Sequence, residues 1–68
     1  MGQDVIAARS AVTAYLRGKR GPQPIRIVLR EVKIEKPTVR DSSLRTAVWS
    51  LVSDGKVHLD KNFNAVLR

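Results

Sequence analysis

Apolar residues recur along this chain at two periods, and the change from one to the other divides it. In "DVIAARSAVTAYLRG", Val5, Ala8, Val12, Tyr15 and Leu16 recur at three- and four-residue steps. That stripe predicts a helix over about 4–17. Asp4 is placed to cap its start and Gly18 to stand just past its end. "RGKRGPQP" follows, and its paired glycines and prolines read as a loop.

The next run, "IRIVLREVKIEKP", fits two templates. Ile25, Val28, Leu29 and Val32 have helical spacing, whereas Ile25, Ile27 and Leu29 alternate as a strand would. A helix over about 25–34 is the preferred reading, entered through an extended residue or two around Pro24. Pro37 ends it by pushing Lys36 out of the α region. "TVRDSSL" is then a turn leading into a helix start. Asp41 or Ser42 is the candidate N-cap, and Thr38 with Asp41 offers an alternative capping arrangement one turn earlier.

On a wheel of about 100° per residue, with Leu44 at zero, Ala47, Val48, Leu51 and Val52 fall within roughly 80° of it. They form the predicted inner face of a third helix over about 41–54. Its opposite side carries Ser42, Arg45, Thr46, Trp49 and Ser53, with Ser43 and Ser50 at one flank. Asp54-Gly55 stops the helix, because glycine accepts the left-handed backbone needed there. From Lys56 the period falls to two. Val57 and Leu59 share one face, His58 and Asp60 take the other, and Asp60-Lys61-Asn62 makes a polar turn. The return from Phe63 to Leu67 completes a hairpin over about 56–67, which must lie on the helices because two strands alone are unstable.

Composition narrows the partner. The chain has 68 residues, 13 basic against 6 acidic, a net charge of +7 and no cysteine. A single domain of this size buries only about 60% of its unfolded surface. Without cysteine it has neither a disulfide nor a thiolate metal site, so helix packing must supply the core. The positive excess favours a polyanion, nucleic acid ahead of an acidic membrane surface. No apolar run approaches the length of a bilayer span, so no membrane partner is expected.

The exposed side of the third helix has an unusual makeup. A merely solvated helix is rich in Glu and Lys, but this one has hydroxyls, an arginine and a tryptophan. No acid lies between Asp41 and Asp54. Short hydroxyl side chains allow close approach to phosphates, and arginine reaches guanine O6 and N7 in the major groove. The competing reading is ordinary surface, with Trp49 packed beneath the hairpin or a loop, and for Trp49 packing is the preferred reading.

Taken with the hairpin, "LRTAVWSLVSDGKVHL" resembles the winged helix-turn-helix DNA-binding domain family. Leu44, Arg45, Ala47, Val48, Leu51, Val52, Gly55 and Val57 match that family's recognition helix and the start of its wing. The likeness covers about residues 25–68, and residues 4–18 only as a generic first helix. The β-branched second helix and the proline in "EKPTV" depart from the family pattern. The resemblance implies a mainly α fold, three helices with a C-terminal β-hairpin, as one domain over 1–68. It also implies that the third helix enters the major groove of duplex DNA while the wing contacts flanking backbone.

Carried to this chain, the DNA-facing positions are Arg40, Ser42, Ser43, Arg45, Thr46 and Trp49 on the helix, with Lys61 and Asn62 on the wing. Arg26 and Lys33 on the second helix are candidate phosphate contacts. Arg17, Lys19 and Arg20 in the first loop are others, on charge density alone. The expected role is a transcriptional regulator or accessory DNA-architecture factor. It would be cytoplasmic, nucleoid-associated in a prokaryote, and act as a homodimer or as several copies on DNA. A winged-helix module that binds a protein through Trp49 is the alternative, and a basic RNA-binding accessory protein the third reading.

Chemistry for catalysis is missing. His58 is the only histidine, the carboxylates are scattered among cations, and "GKRG" lacks the spacing of a phosphate-binding P-loop. No catalytic residue, cofactor or metal is expected, and the chain does not read as an enzyme. Tyr15, Trp49 and Phe63 are too few for a stacking platform.

Overall fold

The computed structural model describes residues 2–68. It contains α1 (Gln3–Arg17), β1 (Gln23–Pro24), α2 (Ile25–Glu35), α3 (Asp41–Ser53), β2 (Val57–Leu59) and β3 (Asn64–Leu67). Three helices followed by an antiparallel hairpin form a winged-helix layout, as the sequence predicts. The extended residues at Pro24 do more than lead into a helix. They form β1, which pairs antiparallel with β3, so the sheet has the order β1-β3-β2. Gln23 lies opposite Ala65 and Pro24 opposite Asn64. An edge strand is where proline is tolerated, since its missing N–H leaves no gap in a ladder. The Ile25 N–H, first of α2, donates to the Phe63 carbonyl at 3.0 Å and joins the helix to the wing.

One core gathers the three helices and the β2–β3 hairpin. Ala8, Val12 and Leu16 of α1 meet Val28 and Val32 of α2, the stripe Leu44, Ala47, Val48 and Leu51 of α3, and Val57 and Ala65 of the sheet. Val5, Tyr15, Leu29, Ile25 and Val52 are half-buried at its margin. Val39 in the α2–α3 turn is also buried, at 6% exposure.

That anchor corrects the start of α3. Its N-cap is Arg40, with no side-chain capping bond; Asp41 and Ser42 are already helical, and Thr38 takes no capping role. Once Val39 is fixed in the core and its N–H bonds to the Lys36 carbonyl at 3.1 Å, the chain enters the helix two residues later. Asp41 instead places a negative charge in the first turn, where the helix dipole favours it. At α1, Gly2 is the N-cap and Asp4 likewise sits in the first turn. Gly18 is the C-cap in right-handed geometry, and the positive φ of that loop falls at Gly21.

The end of α3 follows the sequence signal. Gly55 has φ +77°. Its N–H donates to the Val52 carbonyl at 3.0 Å and the Lys56 N–H donates to the Leu51 carbonyl at 2.9 Å. This pair of bonds is the Schellman termination, and it turns the chain directly into β2. The helix ends at Ser53 and the strands span Val57–Leu59 and Asn64–Leu67, within the predicted hairpin. Val57 pairs with Leu67, His58 with Val66 and Leu59 with Ala65.

Because Leu44 is 2% exposed and central to the stripe, Leu44→Ala is expected to lower unfolding free energy by about 2–5 kcal/mol. For a chain of this size that is a large part of the total, and urea denaturation followed by circular dichroism measures it.

Candidate nucleic-acid interface

Turning the stripe of α3 inward leaves one face of the helix in solvent. Ser42, Arg45, Thr46, Trp49 and Ser53 are all exposed, Trp49 at 55%. Neither the hairpin nor a loop covers the tryptophan, so the packed reading of Trp49 is overturned. Arg45 has no carboxylate partner among the described residues. Its side chain lines a groove of about 300 Å³ between α2 and α3, with Leu29, Arg30, Ile34 and Leu44 among the other walls.

One helix position departs from the predicted set. Ser43 is 6% exposed and belongs to the interior, so it is not a DNA-facing residue. It sits about 40° beyond Ala47 on the wheel, on the side where α1 packs. Ser50 lies on that same side and receives a hydrogen bond from Arg9 of α1, whose guanidinium also pairs with Asp54 at 2.8 Å. The buried arc is therefore wider toward α1 than a symmetric stripe suggests. Arg40 is exposed, but its Nε donates to Asp4 at 3.1 Å. Such a surface pair is worth little and yields readily to a phosphate.

On α2, Lys33 donates to the Val39 carbonyl and lies 3.6 Å from Asp41. Lys33 therefore closes the α2–α3 turn and neutralises the one acid at the foot of the ridge, which removes it from the free phosphate contacts. Arg26 and Arg30 are exposed on the same helix with no carboxylate partner among the described residues. Arg30 was not singled out by the sequence, because it repeats on the solvated side like any surface residue.

The wing turn is organised by Asp60. Its carboxylate accepts from the Asn62 N–H at 2.8 Å, the Asn64 N–H at 2.9 Å and the Asn64 side-chain amide at 3.2 Å. The Asn64 backbone bond is the leading cause that holds this carboxyl below the usual aspartate value. It is supported by the other amide donors and by His58, and it outweighs the partial desolvation. Lys61 and Asn62 project from the turn, both exposed.

Phe63 breaks the expected alternation. It adopts φ +59°, the left-handed region that disfavours a bulky side chain, and the residue is 59% exposed. The strand starts only at Asn64. An exposed aromatic beside Lys61 and Asn62 is a site feature that the period-two pattern concealed.

The first loop divides. Lys19 and Arg20 are exposed, with the Lys19 ammonium 4.9 Å from the centre of the Tyr15 ring. Arg17 lines a different groove, with Leu51, Lys56 and Arg68 among its walls. Leu51, two residues beyond Trp49, projects about 160° away from it around α3. The structure thus separates Arg17 from the α3 ridge.

Protein-family models, curated proteins and solved structures were all compared with this chain, and none matches it. The candidate site therefore stands on its geometry.

Asp60 supplies a pH test. Its ionised form is held by folded-state hydrogen bonds, so its contribution is complete above the pKa of an unfolded aspartate. That contribution fades as pH falls through the lower folded value. Amide shifts of Asn62 and Asn64 followed by NMR should show a midpoint below that of an aspartate in a flexible peptide. Phe63→Asn, which places a residue tolerant of the left-handed region at this turn, should raise stability by on the order of 0.5–1 kcal/mol. Thermal denaturation checks it; a loss instead would mean that the ring's remaining contacts hold the turn.

Proposed function

We propose that this chain is a winged-helix protein that binds duplex DNA. In this reading α3 lies in the major groove and the β2–β3 turn rests on the flanking backbone. The observation that carries it is the exposed ridge Ser42, Arg45, Thr46, Trp49 and Ser53, free of acids, on a chain of net charge +7. At about 1.5 Å per residue α3 is roughly 20 Å long, and the major groove, about 12 Å wide, admits a helix.

Each element has a separate physical task. Thr46 and Ser42 allow close approach and bond to phosphate oxygens, and Arg45 has the planar fork that reads guanine. Arg26 and Arg30 on α2 meet the backbone where that helix crosses it, as Arg40 does at the start of α3. Lys61 and Asn62 reach phosphate or minor-groove acceptors beside the site. With extents of 28 × 23 × 18 Å the domain covers one half-site. Action as a dimer or as neighbouring copies follows, in a regulatory or DNA-architectural role. No helix among the described residues is long and apolar enough to cross a membrane. The cytoplasm, and the nucleoid in a prokaryote, is the compartment this reading requires.

The exposure of Trp49 favours a second reading, in which the same ridge docks on a protein. A large aromatic in solvent is a common anchor of such contacts.

One binding series separates these readings. Duplex affinity should fall steeply with salt, and Arg26→Ala should reduce the log–log slope by about 1. Arg45→Ala should cost about 1–3 kcal/mol of discrimination between preferred and scrambled duplexes. A flat salt response, or unchanged preference in Arg45→Ala, would overturn the DNA reading. Full duplex affinity in Trp49→Ala with loss of a protein partner would favour the second.

A further inference from the structure

Between α1 and the base of the hairpin, apart from the residues of the α3 ridge, lies an open groove of about 570 Å³. Its walls bring together Arg17 of α1, Lys56 before β2 and Arg68 after β3, with the hydroxyls of Ser10 and Thr13. Arg9 also reaches it, but that guanidinium is committed to Asp54 and Ser50. Arg17, Lys56 and Arg68 have no carboxylate partner among the described residues.

The fold itself fixes this arrangement. Thr13 and Arg17 are four residues apart on α1 and so share a face. Lys56 is held by the Schellman turn, its N–H on the Leu51 carbonyl, and its own carbonyl accepts from the Arg68 N–H at 2.9 Å. Lys56 and Arg68 therefore stand side by side across the open end of the hairpin. Like charges placed opposite one another on paired strands repel and weaken the pairing. Among the described residues no aspartate or glutamate side chain lines the groove, and the nearby Asp54 is paired with Arg9. An anion would relieve the repulsion, and phosphate oxygens match both the guanidinium fork and the hydroxyl donors.

We infer that this groove is a second phosphate-binding site, for a phosphodiester or a small polyphosphate, built from residues separate from the ridge. The site goes beyond the proposed duplex contact and does not require α3 to touch DNA. If its phosphate comes from a second duplex, one copy joins two duplexes. If it comes from a free polyphosphate, the groove is an effector site.

Pyrophosphate, titrated into the full chain at about 0.15 M salt and followed by NMR, tests the inference with exposed charges only partly screened. Saturable shifts are expected at Ser10, Thr13, Arg17, Lys56 and Arg68. The double variant Arg17→Ala/Lys56→Ala should weaken binding by roughly tenfold or more, as loss of charge-assisted bonds implies. The charge-matched control Arg20→Ala/Lys36→Ala, at two cations outside the groove and outside the proposed duplex contact, should leave it unchanged. All four side chains are exposed, and circular dichroism confirms that each variant keeps its fold. Equal weakening by both pairs, or shifts that rise linearly across every basic segment, would overturn the site.

Capture of a labelled duplex by an immobilised one then identifies the source. Bridging lost in Arg17→Ala/Lys56→Ala with single-duplex affinity kept assigns the groove to a second backbone. Pyrophosphate binding without bridging assigns it to a free polyphosphate. Failure of the ridge reading would appear separately, as unchanged duplex preference in Arg45→Ala while pyrophosphate still binds.

Discussion

The burial of one stripe of α3 sets the positions of all the other elements. Leu44, Ala47, Val48 and Leu51 are at most 2% exposed, and α1, α2 and the sheet each pack on the core they form. A helix can hide only one side of itself, so this burial decides what remains outside. It brings Ser43 and Ser50 against α1 and leaves Ser42, Arg45, Thr46 and Trp49 in solvent. The same core is narrow and rich in valine and alanine. That composition leaves little slack for a lost methyl group and none for a slipped helix register.

Where local chemistry decides the structure, the sequence was readable. The α3 stripe, the Asp54-Gly55 stop and the strand alternation after Lys56 depend on spacing and on the special backbone freedom of glycine. All three lie where they were expected. The two-residue β1 was legible only as extended backbone, because its partner Ala65 lies some forty positions away. Arg40 rather than Asp41 caps α3 because burial of Val39 sets the phase of the turn, a tertiary effect that outweighs capping preference.

The candidate site was legible in part, for similar reasons. Ridge membership follows from the wheel for Ser42, Arg45, Thr46 and Trp49. At Ser43, 100° from the centre of the stripe, it depends on which neighbour packs there, and a hydroxyl gives no apolar signal. Lys33 looked free because its partners, the Val39 carbonyl and Asp41, meet it only when the α2–α3 turn closes. Phe63 looked like the first residue of a strand. The Asp60 hydrogen bonds impose a left-handed residue before Asn64 instead. The groove of Arg17, Lys56 and Arg68 joins three separate segments, which no local pattern could have brought together.

Acid placement links these observations into one electrostatic design. Of the six carboxylates, Asp4, Asp41 and Asp54 are each paired with a specific cation, Arg40, Lys33 and Arg9 respectively. Asp60 is spent on the backbone of its own turn. Glu31 and Glu35 lie on α2, outside both the ridge and the groove of Arg17, Lys56 and Arg68. The acids near the two candidate surfaces therefore act as ties between elements, at the ends of α1 and α3. They leave Arg45 on the ridge, and Arg17 with Lys56 in the groove, without a carboxylate partner among the described residues. A basic protein that needed only solubility could scatter its acids among its cations and lower its self-repulsion. Here three of the six acids tie helix ends to neighbouring elements, and neither Arg45 nor the Arg17, Lys56 and Arg68 cluster has a carboxylate partner among the described residues.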